Sequence, residues 1–177
     1  MKDEGINFCI IISPFDQISS SLNGNACFYK TIMISASWIE KLSSNDANWT
    51  IAFFHTIGHE LGHKMNEPRG SYARTNKAKF KNWVREIRAD FYGIDFVKRH
   101  KIVNDRNAVL ETIRMKAKHN TQKKDISDYS HPSWKYRCEV LSNNQKFDEN
   151  VIKHIAKECC FYDLHYIDQM IAYIPKS

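Results

Sequence analysis

Apolar residues recur every three or four positions along two long stretches of the chain. In the first stretch, residues 47–65, the apolar positions are Ile51, Phe54, Ile57 and Leu61. In the second stretch, residues 77–98, they are Phe80, Val84, Ile87, Phe91 and Ile94. This spacing places the apolar side chains on one face of a helix, so the sequence predicts two amphipathic helices.

Shorter patterns predict further elements. The apolar run Cys9–Ile12 predicts a buried strand, and residues 118–130 predict a polar loop. Asp148 is placed to cap a helix whose inner face is Val151, Ile152, Ile155 and Ala156, and residues 162–173 predict a last helix. The length of 177 residues and the absence of a clear linker predict one domain, residues 1–177.

The first predicted helix contains His59-Glu60-Leu61-Gly62-His63, an HExxH motif. Four-residue spacing places both imidazoles on one helix face, where their nitrogens can converge on one zinc ion at about 2.0–2.1 Å. Glu60 would lie beside the metal, where a carboxylate can accept a proton from water and pass it to a leaving amine. Composition alone gives roughly 0.02 expected matches, so chance is a poor explanation.

Two glycines and another histidine share this helix. Gly58 and Gly62 each cost about 1 kcal/mol of helix stability relative to alanine, which indicates close approach of another backbone or of a substrate. His55 lies one turn before His59 and is either a rival ligand or a packed residue. We favour the packed residue, because that is the commoner use of such a histidine.

A catalytic zinc needs a third protein ligand and an open fourth position. The second predicted helix carries Glu86 and Asp90 one turn apart, next to its apolar stripe. Glu86 is the candidate oxygen ligand, and Asp90 is the candidate carboxylate that orients a ligand histidine. The pattern is that of a gluzincin, because the longer motif HExxHxxGxxH would require a histidine where the chain has Arg69.

Four motifs in the same order resemble the CAAX prenyl protease and HtpX-like family of zinc metalloproteases. They are Asn25-Ala26 with residues 31–35, residues 38–42 before HExxH, the ExxAD pattern ending at Asp90, and His131-Pro132 with Arg137. The resemblance covers most of the chain. It implies a zincin-like α+β fold, mostly helical, with a small sheet and an HExxH active-site helix.

The resemblance also implies roles outside the ligand set. Asn25 and Ala26 would form the edge strand that holds an extended peptide by main-chain hydrogen bonds. His131, on a flexible approach loop, would donate to the oxyanion of the reaction; its other interpretation is an ordinary histidine beside a proline. Arg137 would fix that loop by pairing with a carboxylate.

Family members commonly carry transmembrane helices, whereas no run here approaches the ~20 apolar residues that span a bilayer. The first residues carry no signal-peptide pattern, so we expect a soluble cytoplasmic protein. The five cysteines form no CxxC pair. We expect them to be reduced and mostly buried, with none of them binding zinc.

The net charge of +6 is unevenly distributed: residues 64–101 hold 11 Lys or Arg against four acids. Such a flank can attract an acidic protein, an anionic membrane or nucleic acid. We favour a solvated helix face and consider nucleic-acid binding unlikely, because the nearby aromatic residues Phe80 and Phe91 belong to the apolar stripe.

The sequence thus predicts a zinc-dependent metalloendopeptidase with one Zn²⁺ per chain, which hydrolyses a protein or peptide substrate through zinc-activated water. Two alternatives stay open. One is an ImmA-like protease dedicated to a single regulatory protein. The other is a non-enzymatic, basic nucleic-acid or partner-binding module with structural zinc, although such a site has no need of Glu60 as a base. The substrate and the oligomeric state are not predicted.

Overall fold

The computed structural model of the chain describes residues 9–13, 24–25, 31–64, 70–120, 125–172 and 174. The strands are β1 (Cys9–Ser13), β2 (Gly24–Asn25) and β3 (Thr31–Ser35). The helices are α1 (Ser37–Ser43), α2 (Ala47–Gly62), α3 (Asn76–Arg99), α4 (Arg106–Asn120), α5 (Trp134–Asn143), α6 (Glu149–Glu158) and α7 (Leu164–Ala172). The prediction of a mostly helical α+β fold with a small sheet is confirmed. Within these ranges, no helix is long and apolar enough to cross a membrane.

The sheet has the order β1-β3-β2, with β1 parallel and β2 antiparallel to the central strand. Ile32 and Ile34 of β3 are buried. Ile11 and Ile12 of β1, in contrast, are each 45% exposed, so the prediction of a buried strand is wrong about burial. An apolar run predicts a strand, but it does not distinguish a covered strand from one at a sheet edge.

Polar side chains cap the N-termini of α2, α3 and α6. Asp46 accepts a hydrogen bond from the Asn48 N–H at the start of α2, and Thr75 caps α3 in the same way. Asp148 caps α6, as predicted. The α2 helix ends at Gly62, three residues before the predicted end, although the His63 backbone keeps helical dihedral angles (φ −65°, ψ −19°).

Two apolar clusters meet along α3. The larger cluster joins buried side chains of α3 to those of α4, α5, α6 and α7. The smaller cluster contains Ile32 and Ile34 of β3, Trp38 of α1, Leu61 of α2 and Phe96 of α3. Because α3 contributes to both, its contact with α2 is the junction between the sheet side and the helical side of the fold.

Glycines bring α2 and α3 into backbone contact. A Cβ added to Gly58 would lie 2.7 Å from Cβ of Phe96 and 2.9 Å from Cα of Gly93. One added to Gly93 would lie 2.8 Å from the carbonyl oxygen of His55, and one on Gly62 would lie 3.0 Å from Cα of Ala89. Later residues of α2 contact earlier residues of α3, so the two helices run antiparallel. Of the two explanations for these glycines, close backbone approach is the one observed.

Two expectations from the sequence need correction. Residues 118–120, predicted as loop, are the end of α4, a helix that was not predicted. Of the cysteines that the structure describes, all are free, but only Cys159 is buried, while Cys9 and Cys160 are exposed and Cys138 is partly buried. Exposed cysteines contradict the expectation of mostly buried thiols; Cys27 lies outside the described residues.

Replacing Gly58 with alanine is predicted to destabilise the protein. The new methyl group has no space against α3, and overpacking of this kind costs about 1–3 kcal/mol. Urea unfolding would measure the loss. Asn48→Ala, at an exposed position in the first turn of the same helix, is the control and should change stability little. A Gly58→Ala protein as stable as the wild type would contradict this account of the helix contact.

Candidate metal centre

Three metal-binding side chains meet where α2 packs on α3. His59 lies in the last turn of α2, His63 follows directly, and Glu86 lies near the middle of α3. Their side chains are 10%, 12% and 10% exposed, respectively. The antiparallel helix contact therefore brings Glu86 to two histidines that lie 23 and 27 positions before it in sequence, and removes all three side chains largely from water.

The distances between the ligand atoms match those around one tetrahedral ion. Nε2 of His59 lies 3.1 Å from Nε2 of His63. Oε2 of Glu86 lies 3.5 Å from Nε2 of His59, and its Oε1 lies 3.3 Å from Nε2 of His63. Zinc ligands at about 2.0–2.1 Å in tetrahedral geometry are about 3.3 Å apart. Among the described residues, this group of three is the one able to hold a metal ion together.

Asp90 sets the orientation of the His59 ring. Its Oδ1 accepts a hydrogen bond from Nδ1 of His59 at 2.9 Å, and the Asp90 side chain is fully buried. With the proton on Nδ1, the lone pair of Nε2 faces His63 and Glu86. This carboxylate–histidine pairing is the arrangement that commonly holds a histidine ligand in its metal-binding tautomer.

Arg137 of α5 holds Asp90 in turn. Its Nε donates to Oδ2 of Asp90 at 2.8 Å and its Nη2 donates to Oδ1 at 2.5 Å, while its Nη1 lies 4.0 Å from Glu86. Burial alone would raise the pKa of Asp90, but the charge and hydrogen bonds of Arg137 keep that pKa well below its ordinary value. Arg137 thus pairs with a carboxylate at the site itself.

The same balance sets the protonation of the ligands. Burial alone would lower the pKa of His59, but hydrogen bonds with Asp90 and Glu86 raise it above its ordinary value. Burial alone would raise the pKa of Glu86, but hydrogen bonds with His59 and His63 hold it well below its ordinary value. Glu86 is therefore ionised at neutral pH, which is the state that binds a cation.

His131 lies at the edge of this group. Its side chain is 62% exposed, and its Nε2 lies 3.7 Å from Oε1 of Glu86. Its backbone N–H donates to Oδ1 of Asp128 at 2.7 Å, which fixes the turn before Pro132. The structure thus brings His131 beside Glu86 and leaves its ring accessible to a ligand from solvent.

The described part of the loop that carries His131 is joined to α3 by hydrogen bonds. Nε1 of Trp83 donates to the carbonyl of Asp128 at 2.8 Å, and the Asn82 amide donates to the carbonyl of Tyr129 at 3.0 Å. Asn82 also bonds the backbone carbonyl and N–H of Ser71 at 2.7 and 2.9 Å. Polar side chains on a buried face of α3 therefore tie two loops to the turn that precedes Glu86.

The remaining predicted residues lie nearby or outside the described chain. Glu60 is buried beside His59 on α2. Asn25 belongs to β2, an edge strand that contacts α2, and its backbone pairs with Met33. Ala26 lies outside the described residues. The substrate-binding roles of Asn25 and Ala26 stay predictions.

His55 is a packed residue beside the centre. It is buried, and its Nε2–H donates to the backbone carbonyl of Asp90 at 3.3 Å. Burial lowers the pKa of His55 to about 3, and the nearby cation Lys116 contributes in the same direction. The ring is therefore neutral in the folded protein at ordinary pH.

Two residues near the centre were not found from the sequence. Nothing in the sequence distinguishes Asn82 from the exposed polar residues of α3, and Lys116 lies on α4, which the sequence analysis does not predict. The apolar positions Val109, Leu110, Ile113 and Ala117 do have helical spacing and predict α4 in retrospect. No sequence signal marks Lys116 as buried, because lysine is almost always exposed.

No protein-family model, no curated protein and no solved structure matches this chain. The likeness to the CAAX prenyl protease and HtpX-like family therefore rests on the motifs alone.

Metal content tests the ligand set. We expect about one zinc per chain, lost in His59→Ala and His63→Ala and held more weakly in Glu86→Gln, because a neutral amide is a poorer ligand than a carboxylate. Elemental analysis and zinc titration against a chelator would measure this, with the exposed Glu111→Gln as control. Full zinc affinity in Glu86→Ala would remove Glu86 from the set.

Acid should destabilise the metal-free protein partly through His55. Its pKa is about 3 when folded and 6.5 ordinarily. Between pH 6.5 and 3, His55 is protonated in the unfolded chain but stays neutral in the folded protein. The stability that the neutral, buried His55 contributes is therefore fully present above pH 6.5 and falls as the pH drops towards 3. The loss between pH 7.5 and 5 is about 2 kcal/mol.

Urea unfolding in EDTA at pH 7.5 and 5 would measure this loss. Glutamine does not titrate, so the free energy of unfolding of His55→Gln should fall between these pH values by about 2 kcal/mol less than that of the wild type. The same pH dependence in wild type and variant would contradict a neutral, buried His55.

Proposed function

We propose that the protein is a zinc-dependent metalloendopeptidase. The observation that carries the proposal is the convergence of His59, His63 and Glu86 at separations suited to one zinc ion, next to a buried carboxylate, Glu60, that is not one of the ligands. Structural zinc sites are closed by four protein ligands, often cysteines, whereas catalytic sites use three and leave one position open. The donor set here has the catalytic composition.

Zinc bound here would polarise a peptide carbonyl and make water a nucleophile near neutral pH. The Glu60 carboxylate would accept the proton that water gives up and return it to the amine that leaves. Glu60 suits this role because its position in HExxH places it one residue from His59, and because burial limits exchange of that proton with bulk water.

The neighbouring side chains would support the same reaction. Asp90 and Arg137 keep the His59 ring in its metal-binding orientation through the hydrogen bonds between them. His131 offers an accessible ring beside Glu86 and would donate to the oxyanion that forms on the carbonyl. Support for this role is its anchored loop, since a preorganised donor need not reorganise during the reaction.

The substrate would bind as an extended strand. Among the described strands, β2 is at one edge of the sheet and contacts α2, so a peptide paired with its outer side would run beside the helix that carries HExxH. Main-chain hydrogen bonds of this kind are insensitive to side-chain sequence. Selectivity for one protein, as in the ImmA-like alternative, would then require contacts outside the strand.

Glu60→Gln is predicted to retain zinc and fold but to lose hydrolysis, because an amide does not accept the proton from water. The loss should be at least about 100-fold, the usual lower value for a general base. Cleavage of casein by zinc-loaded protein would measure it, with Glu40→Gln, 82% exposed in its side chain, as the matched control.

Equal cleavage by Glu60→Gln and wild type would contradict the proposed mechanism. Zinc-loaded wild type that leaves casein intact would contradict a general endopeptidase and favour the protease dedicated to one protein.

A further inference from the structure

A lysine is buried next to the proposed active site. Lys116 of α4 is 6% exposed, and its Nζ donates to Oγ1 of Thr56 at 2.8 Å. Thr56 is itself buried and donates to the carbonyl of Ala52 at 2.8 Å. The ammonium is thus fixed against the inner part of α2 rather than extended to solvent, and the proposed reaction assigns it no role.

The neutral groups around the Lys116 ammonium offset only part of the cost of burying its charge. The rings of Trp38 and Trp134 lie 5.8 and 5.2 Å from Nζ of Lys116, within cation–π distance. A buried ion nevertheless has a desolvation cost of several kcal/mol, which such contacts offset only in part. Burial lowers the pKa of Lys116 to about 8, and the nearby Arg137 acts in the same direction. A buried anion is needed to retain the charge.

Among the described residues, three carboxylates are buried in this region: Glu60, Glu86 and Asp90. Asp90 has its cation in Arg137, and Glu86 faces the two histidines at the metal position. Glu60 remains, and it lies one turn after Thr56 on the same side of α2, the side on which Lys116 is bound. Of the carboxylates that stabilise the charged form of Lys116, Glu60 has the largest effect.

We propose that Lys116 is a positioning residue for Glu60: its ammonium, held by Thr56 one helical turn before Glu60, offsets the charge of the Glu60 carboxylate beside the metal position. The role as partner of a catalytic base rests on the proposed function. The electrostatic pairing of Lys116 with Glu60 is independent of the proposed function, and it is measurable without metal or substrate.

A double-mutant cycle in urea unfolding tests the pairing. Lys116→Met has similar length and no charge, and Glu60→Gln removes the partner charge. We expect Lys116→Met to lower the urea midpoint of the wild type, and to lower that of Glu60→Gln by less than half as much. Lys118→Met, an exposed lysine of the same helix, is the control for helix propensity and net charge.

An equal shift in both backgrounds, or no shift in either, would overturn the pairing, because a lysine that only supports Thr56 and the indole rings is indifferent to the charge of Glu60. If Lys116→Met does not fold alone, a folded Lys116→Met/Glu60→Gln protein supports the pairing. Failure of both proteins to fold contradicts it.

Casein cleavage by the zinc-loaded protein tests the functional role separately. Lys116→Met should lower kcat at least tenfold with little change in KM or zinc content, while Lys118→Met matches the wild type. A coupled cycle without casein cleavage by any protein would contradict the proposed function and leave the pairing intact. Full cleavage by Lys116→Met with an uncoupled cycle would contradict the positioning role and leave the protease intact.

Discussion

Backbone contact between α2 and α3 is the constraint on which the rest of the site depends. Cβ atoms added at Gly58 or Gly93 would lie 2.7–2.9 Å from the facing helix, against about 3.4 Å or more for ordinary contact. Side chains at these positions would therefore separate the helices by roughly half an ångström or more. Metal–ligand distances tolerate only about 0.2 Å. The glycines that weaken each helix thus set the separation of His59 and His63 from Glu86.

Charge compensation then connects the metal centre to the rest of the helical core. Asp90 joins α3 to α2 through His59 and to α5 through Arg137. A buried charge without a partner costs several kcal/mol, so Asp90 and Arg137 are stable in the core only when both are present and hydrogen-bonded. Lys116 extends the same principle to α4, because its buried charge also requires an anion. Four helices are in this way held to one arrangement by groups whose chemistry serves the proposed reaction.

The sequence predicts the parts of this site that are encoded locally. Periodicity places α2 and α3, and the HExxH spacing identifies His59 and His63 as partners. Long-range burial is not encoded in that way. Lys116 is a surface residue by type, and α4 has a weaker apolar pattern because part of its inner face is polar. The apolar run at Ile11 indicates a strand, but its exposure depends on β1 lying at a sheet edge, which only the tertiary structure shows.

X-ray absorption at the zinc edge, on protein loaded with one equivalent of zinc, tests the central claim most directly, because it measures the coordination sphere without needing a substrate. The account predicts four nitrogen or oxygen neighbours at about 2.0–2.2 Å, with the multiple-scattering signature of two imidazoles. That signature should fall to one imidazole in His63→Ala if this variant retains any zinc. Sulfur neighbours at about 2.3 Å, or wild-type zinc without histidine ligands, would contradict it.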